Sequence, residues 1–247
     1  MNAPAEGPGL VIAPSPRPSI AVTGTSDRWP VRRIYCVGRN YVAHVEEMGN
    51  DVRNPPIFFQ KPADAVVASG ATIAYPTVTE NLHHEVELVL AIGAGGLNIP
   101  EAAALDHVWG YAVGLDMTRR DLQGGGKPWE IAKSFDQSFP VGAITPTRDS
   151  GPMTAGRIRL TVNGETRQDS DLSLLIWKLP EIVARLSAYF ELQPGDVILT
   201  GTPHGVGPVG PGDRLVATID GLSPLEVTIG ERAGGWCRGG GGNWSAA

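Results

Sequence analysis

The sequence predicts a β-rich α+β fold, and three observations point to it. The 32 glycines and 21 prolines spread along 247 residues cut the chain into short segments and leave little room for long helices. The apolar runs between them are short and rich in Val, Ile and Leu, as buried strands are. Asn163-Gly164, set between extended stretches from Arg157 to Asn163 and from Glu165 to Ser170, is a strong hairpin signal, because both residues tolerate the positive φ of a tight turn. One longer amphipathic helix is expected over Leu174 to Phe190, with Pro180 starting its second part.

Hydrophobic and charged contents of 42% and 19% are those of a globular chain able to bury one large core. A net charge of −6 and a pI near 5.4 argue against nucleic acid and anionic membranes as partners. They do not argue against a small anion, which answers to local charge. Cys36 and Cys237 are too few and too far apart for a disulfide framework or a zinc site, so a reducing cytoplasm is the expected compartment. No apolar run reaches membrane-spanning length, and the start lacks a secretion pattern. The chain divides into an N-terminal arm over residues 1–30, partly flexible, with a short strand over Ser19 to Thr23. One domain over residues 31–230 and a Gly-rich tail over residues 231–247 follow.

Val31 to Gly38 reads as a buried strand. Asn40 can cap, and Gly49 can end, a two-turn helix. On it His44 and Glu47 share a face at i and i+3. They are either a general base with its orienting carboxylate or an ordinary surface pair. Lys61, after the core aromatics Phe58 and Phe59, is either a solvated strand end or points into a site. Ala65 to Ile73 reads as strand, turn at Ser69-Gly70, strand.

Leu82-His83-His84-Glu85-Val86-Glu87-Leu88-Val89-Leu90 is the stretch around which the rest is arranged. Read as one strand, its period of two puts His83, Glu85 and Glu87 on one face. Two like charges side by side belong either at a wet edge strand or around a cation. Ile99 to Val108 reads as a helix with proline near its start. The strand Tyr111 to Leu115 ends in Asp116, which is either a helix cap or a third converging carboxylate. Three carboxylates plus water suit Mg²⁺, Mn²⁺ or Ca²⁺, whereas zinc prefers nitrogen and sulfur. Lys133, in a polar turn, reads by itself as a surface lysine. The strand Val197 to Thr200 runs into Gly201-Thr202-Pro203-His204-Gly205-Val206-Gly207-Pro208, either a plain glycine turn or a loop whose Thr202 hydroxyl and N–H groups bind an anion. Leu215 to Ile219 and Leu225 to Ile229 close the domain.

In order, His-x-x-Glu, Phe-x-Lys-Pro, Glu-x-Glu, Asp-x-Thr-x-Arg-Asp-x-Gln, Lys-x-Phe-Asp and Thr-Gly-Thr-Pro-x-Gly-Val-Gly resemble the fumarylacetoacetate hydrolase family over Val31 to Ile229. The resemblance implies the family's mixed β-sheet roll, with a small N-terminal portion and a lid helix within residues 31–75, and a homodimer. It implies a divalent ion, usually Mg²⁺, on Glu85, Glu87 and Asp116, and a water-activating His44–Glu47 dyad. It further implies that Lys133 serves catalysis and that Arg39, Gln123 and Thr202 bind substrate. The substrate would be a 2-oxo or β-diketo acid cleaved at a C–C bond.

Val-Arg-Arg-Ile-Tyr-Cys-Val-Gly-Arg-Asn-Tyr, Lys-Pro-Ala-Asp-Ala-Val and Leu-His-His-Glu-Val-Glu-Leu are most similar to the fumarylpyruvate hydrolases of aromatic (gentisate) degradation. So are His-Val-Trp-Gly-Tyr-Ala-Val-Gly-Leu-Asp and Thr-Arg-Arg-Asp-Leu-Gln. Either His83 or one of Arg119 and Arg120 would then bind a distal carboxylate; alternatively one arginine pairs with Asp121 and the other is solvated. Other readings are an acylpyruvate hydrolase, an oxaloacetate-type decarboxylase or a homoprotocatechuate-pathway isomerase/decarboxylase. A ligand-binding protein without turnover would not need the His44–Glu47 pair.

Overall fold

The strand Val86–Ile92 is buried along its whole length. It lies between two antiparallel neighbours, Val108–Leu115 and Val197–Leu199. The structure is a computed structural model that describes residues 11–41, 54–126 and 128–232. Among these residues, Ile34–Gly38 and Ile57–Lys61 extend this sheet on one side. Phe139–Val141 and Val66–Ala68 extend it on the other. With Thr145–Pro146 it has eight strands of mixed direction. A five-stranded sheet runs in the order Glu165–Asp171, Arg157–Val162, Arg214–Ile219, Leu225–Arg232, Thr72–Tyr75. Thr118–Arg119, Leu82–His84 and Gly207–Pro208 form a small third sheet. The result is a β-rich roll with few helices, as expected.

Alternation along the central strand explains its unbroken apolar character, since a strand covered on both faces has no wet side. Leu88, Leu90 and Ile92 enter the larger core, with Ile158, Leu160 and Leu215 of the five-stranded sheet and Ile182 and Leu186 of a helix. Val89 and Ala91 point the other way, into a second cluster with Cys36, Phe139 and Leu199. Glu87 shares the face of Val89 and Ala91. The site therefore stands at the end of this second cluster.

Several expectations are corrected. The wet edge strand is ruled out, because the Glu-x-Glu segment is interior to the sheets. It is also two strands rather than one: the chain leaves the ladder at Glu85, so Leu82–His84 belongs to the third sheet and Val86–Ile92 to the first. The long helix starts at Leu179 rather than Leu174, because Pro180 lacks an N–H and disfavours helical geometry before it. Glu101–His107 is a 3₁₀ helix after Pro100. The Ser69-Gly70 turn carries the chain from one sheet to another, since its flanking strands pair with Phe139–Val141 and Leu225–Arg232. Within the stretch expected as an arm, Ser19–Ala21 pairs with Arg28–Pro30. The hairpin at Asn163 and Gly164 forms with φ of 54° and 85°. The expected helix from Asn40 to Gly49 lies, beyond Tyr41, outside the described residues. Asn40 itself is fully buried: its amide donates to the carbonyls of Thr200 (2.7 Å) and Trp177 (3.1 Å) and accepts from the Trp177 N–H at 2.7 Å. Its side chain thus joins two loops. No described helix is long and apolar enough to cross a membrane.

Gly201 packs against Asn40 in a left-handed conformation, φ +100°, and a Cβ there would lie 2.6 Å from the Asn40 Cβ. Gly201→Ala is expected to cost about 1–3 kcal/mol, read as a lower denaturant midpoint at unchanged slope.

Candidate metal centre and active site

Strand register assembles the site. Val86 lies opposite Leu115 and Glu87 opposite Gly114. One step further brings Glu85 opposite Asp116, whose N–H donates to the Glu85 carbonyl at 2.9 Å. Residues opposed across an antiparallel pair share a face, as do residues two apart on a strand. Glu85, Glu87 and Asp116 therefore project together. Each offers an oxygen within 4.8 Å of the others, and all three are buried.

Three buried carboxylates need compensation, and the chain supplies cations. Lys133 Nζ lies 2.6 Å from both Glu85 Oε2 and Asp116 Oδ2. Lys61 Nζ lies 2.8 Å from Asp116 Oδ1, and Arg120 pairs with Glu85 Oε1. The surface reading of Lys133 is thus overturned, since it is 3% exposed. Lys61, equally buried, points inward. Glu87 receives the Gly201 N–H at 2.7 Å.

Burial pushes the Glu85 carboxyl up, but Lys133 and Arg120 outweigh it and hold it at about 2. Glu87 goes the other way: burial, then the charges of Asp116 and Glu85, raise it well above the usual carboxylate range, with Lys133 and the Gly201 N–H opposing only in part. Burial opposes the Lys133 charge, yet Asp116 and Glu85 favour it more and raise its pKa. An all-oxygen set with no thiolate or imidazole fits a hard divalent cation.

A cavity of about 430 Å³ opens over this cluster. It brings together every expected site residue that is described: Arg39, His83, Glu85, Glu87, Asp116, Arg120, Gln123, Lys133 and Thr202. His44 and Glu47 lie outside the described residues. Burial, then the charges of Arg120 and His84, lowers the His83 pKa to about 4. Its Nε2 bonds Asn81 Oδ1 at 2.9 Å, and its Nδ1 accepts from Arg120 Nε at 3.4 Å. His83 is therefore neutral and occupied on both nitrogens, which argues against it as the cation for a distal carboxylate. Arg120 also donates to Gln123 Oε1, leaving the Gln123 amide nitrogen free to donate. Asp121 is held by the Thr79 hydroxyl and the Glu80 N–H, and Arg119 stacks on Phe135 at 4.2 Å. The Thr202 hydroxyl donates to the Val86 carbonyl at 2.9 Å and accepts from Gln168 at 2.8 Å. Its proton is already used within the chain.

Gln168 was not singled out by sequence. It is fully buried. Its oxygen accepts the Val86 N–H and faces His84 Nδ1, and its nitrogen donates to Thr202 and to the Pro203 carbonyl. It fastens the acidic strand to the glycine loop. The sole hint is an uncharged amide within the polar stretch Glu165 to Asp171.

Comparison with known proteins agrees with this geometry. The family description "Fumarylacetoacetate (FAA) hydrolase C-terminal" matches residues 33–230. A mouse protein named oxaloacetate tautomerase FAHD1, mitochondrial, is 47% identical over 202 residues, 80% of this chain and 91% of its own. A fumarylpyruvate hydrolase from Ralstonia sp is 45% identical over 177 residues, 70% of this chain and 92% of its own. A crystal structure of fumarylpyruvate hydrolase from Pseudomonas aeruginosa, in complex with Mn²⁺ and pyruvate, is 52% identical. It superposes with a TM-score of 0.88 over 91% of this chain and 100% of that one. With the fold, the buried acidic cluster and these matches together, the chain belongs to the fumarylacetoacetate hydrolase family of enzymes.

Proposed function

We propose that this chain is a metal-dependent hydrolase that cleaves fumarylpyruvate with water to fumarate and pyruvate. The observation that carries this reading is the buried triad of Glu85, Glu87 and Asp116 in a chain 52% identical to a fumarylpyruvate hydrolase crystallised with Mn²⁺ and pyruvate. A divalent ion on the three carboxylates would polarise the oxygens of a 2-oxo acid and weaken the neighbouring C–C bond.

The chain's own groups do the rest. Lys133 has three N–H donors, two of them committed to Glu85 and Asp116; the third can meet the substrate oxygen on which enolate charge develops. The Gln123 amide orients the same end of the substrate. His83, the described histidine of the cavity, is occupied on both nitrogens, and the proton from water goes to His44, which the sequence places three residues before Glu47. The water oxygen bonds to the distal carbonyl carbon, the C–C bond breaks, and the electron pair leaves as the pyruvate enolate, which then takes a proton. The triad, Lys61, Lys133 and Arg120 sum to no net charge when all are ionised, so a divalent ion gives the pocket a charge of +2, the complement of a dianionic substrate. The reading includes a homodimer in the cytoplasm, where a buried free thiol at Cys36 is at home.

A second reading is oxaloacetate tautomerisation, favoured by the name of the 47% identical mouse protein. It moves a proton between carbon and oxygen and needs no attacking water.

The purified protein with Mg²⁺ or Mn²⁺ is expected to consume fumarylpyruvate, with fumarate appearing by chromatography. Chelation should remove turnover almost entirely, and either ion should restore it. Acceleration of oxaloacetate enol–keto exchange with no fumarate formed would transfer the assignment to the second reading. His44→Ala is expected to lower hydrolysis by about 10²–10⁴-fold while leaving metal affinity near that of the native protein; an intact rate would remove His44 as the base. Because Glu87 favours its protonated form without metal and must ionise to bind one, metal binding should release protons and tighten as pH rises. Calorimetry of Mn²⁺ binding in buffers of different ionisation enthalpy reads this release, and Glu87→Gln should lose it.

A further inference from the structure

The small third sheet brings a further group to the carboxylates. Leu82–His84 pairs antiparallel with Thr118–Arg119, with His83 opposite Thr118 and Leu82 opposite Arg119. One step further, the Arg120 N–H donates to the Asn81 carbonyl at 2.8 Å. Residues opposed across such a pair share a face, as do residues two apart on a strand. Asn81, His83 and Arg120 therefore stand together, and Arg120 reaches Glu85 from there. The turn that carries Arg120 is held on its other side as well, because the Thr79 hydroxyl and the Glu80 N–H both bond Asp121.

Hydrogen-bond directions fix the state of the histidine. A guanidinium only donates, so His83 Nδ1, 3.4 Å from Arg120 Nε, is the acceptor and carries no proton. Nε2 then carries it and donates to Asn81 Oδ1 at 2.9 Å. The imidazole is thus a rigid bridge between Asn81 and Arg120. Arg120 in turn is divided among three acceptors: Nε on His83, one terminal nitrogen on Glu85 and the other on Gln123. A long side chain with several free torsions keeps one orientation only against fixed partners. Glu85 and Gln123 are groups that a metal ion and a substrate would engage. His83 is the partner that stays in place when the cavity fills.

We propose that His83 is a positioning residue: anchored by Asn81, it fixes the plane of the Arg120 guanidinium, and through Arg120 it turns the Gln123 amide nitrogen toward the cavity. It acts through Arg120 and not by touching the substrate. A histidine is suited to this place because one ring nitrogen accepts while the other donates, at a fixed angle to each other. The assignment rests on the hydrolase reading only for the reaction in which the alignment is used.

The test uses side chains that copy one imidazole nitrogen at a time. His83→Asn places an amide oxygen near the Nδ1 position and can still accept from Arg120. His83→Gln reaches the Nε2 position and can bond only Asn81, and His83→Ala does neither. Calorimetry of pyruvate binding to the Mn²⁺-loaded protein should show about tenfold weakening in His83→Ala and His83→Gln, the worth of one hydrogen bond to a charged group. His83→Asn should weaken it no more than about threefold. On an Arg120→Ala background, His83→Ala should add less than about a twofold effect. The kcat/KM for fumarylpyruvate should follow the same order, whereas His83→Asn and His83→Gln should share one Tm. Equal pyruvate binding by His83→Asn and His83→Gln would overturn the proposal, and this comparison decides even where His83→Ala does not fold. A His83→Ala effect undiminished on the Arg120→Ala background would overturn it too. If the native protein does not cleave fumarylpyruvate yet pyruvate binding keeps this order, the hydrolase reading fails and the positioning role stands.

Discussion

One register decides the chemistry of this molecule. The pairing of Val86–Ile92 with Val108–Leu115 places Asp116 opposite Glu85. A slip of one residue would turn Asp116 to the other face and leave two carboxylates without the third. That register is held by apolar packing on both sides of the sheet, with Leu88 and Leu90 in one core and Val89 and Ala91 in the other. The same hydrophobic alternation that drives folding therefore aims the carboxylates. The remaining parts of the site adjust to that convergence: Gly201 turns its N–H toward Glu87, and Gln168 ties the acidic strand to the loop after it.

The surroundings of the cluster are asymmetric, and the asymmetry has a use. Glu85 and Asp116 are paired with buried or half-buried cations, whereas Glu87 has only a backbone N–H and Lys133 at longer range. Lys133 and Arg120 thus favour the ionised form of Glu85, whereas burial beside two other carboxylates disfavours that of Glu87. Phe59 and Trp129, packed edge-to-face, add aromatic surface to the same cavity.

Much of this was legible in the sequence, for a local reason. Period-two alternation put His83, Glu85 and Glu87 on one face, and that holds even though the chain changes sheets at Glu85. The turn at Asn163 and Gly164 was legible because its conformation is written in two adjacent residues. What was not legible depends on partners far along the chain. Nothing near Lys133 says that it is buried; its carboxylates come from segments 17 and 48 residues away. Arg120 and Asp121 looked like candidates for each other, yet Arg120 finds Glu85, and Asp121 finds Thr79. Asn40 looked like a cap and is a buried clamp between loops. The late start of the helix at Leu179 is legible in Pro180, which sits in its first turn and lacks the N–H a preceding turn would need.

The ion pairs among Lys61, Lys133, Arg120 and the acidic cluster also bear on how the protein matures. Small zinc domains stay unfolded until metal arrives, because nothing else neutralises or cross-links their ligands. Here the polypeptide carries its own counter-charges, so the core can be completed without an ion, and a hard cation binding at the triad would enter a scaffold already folded.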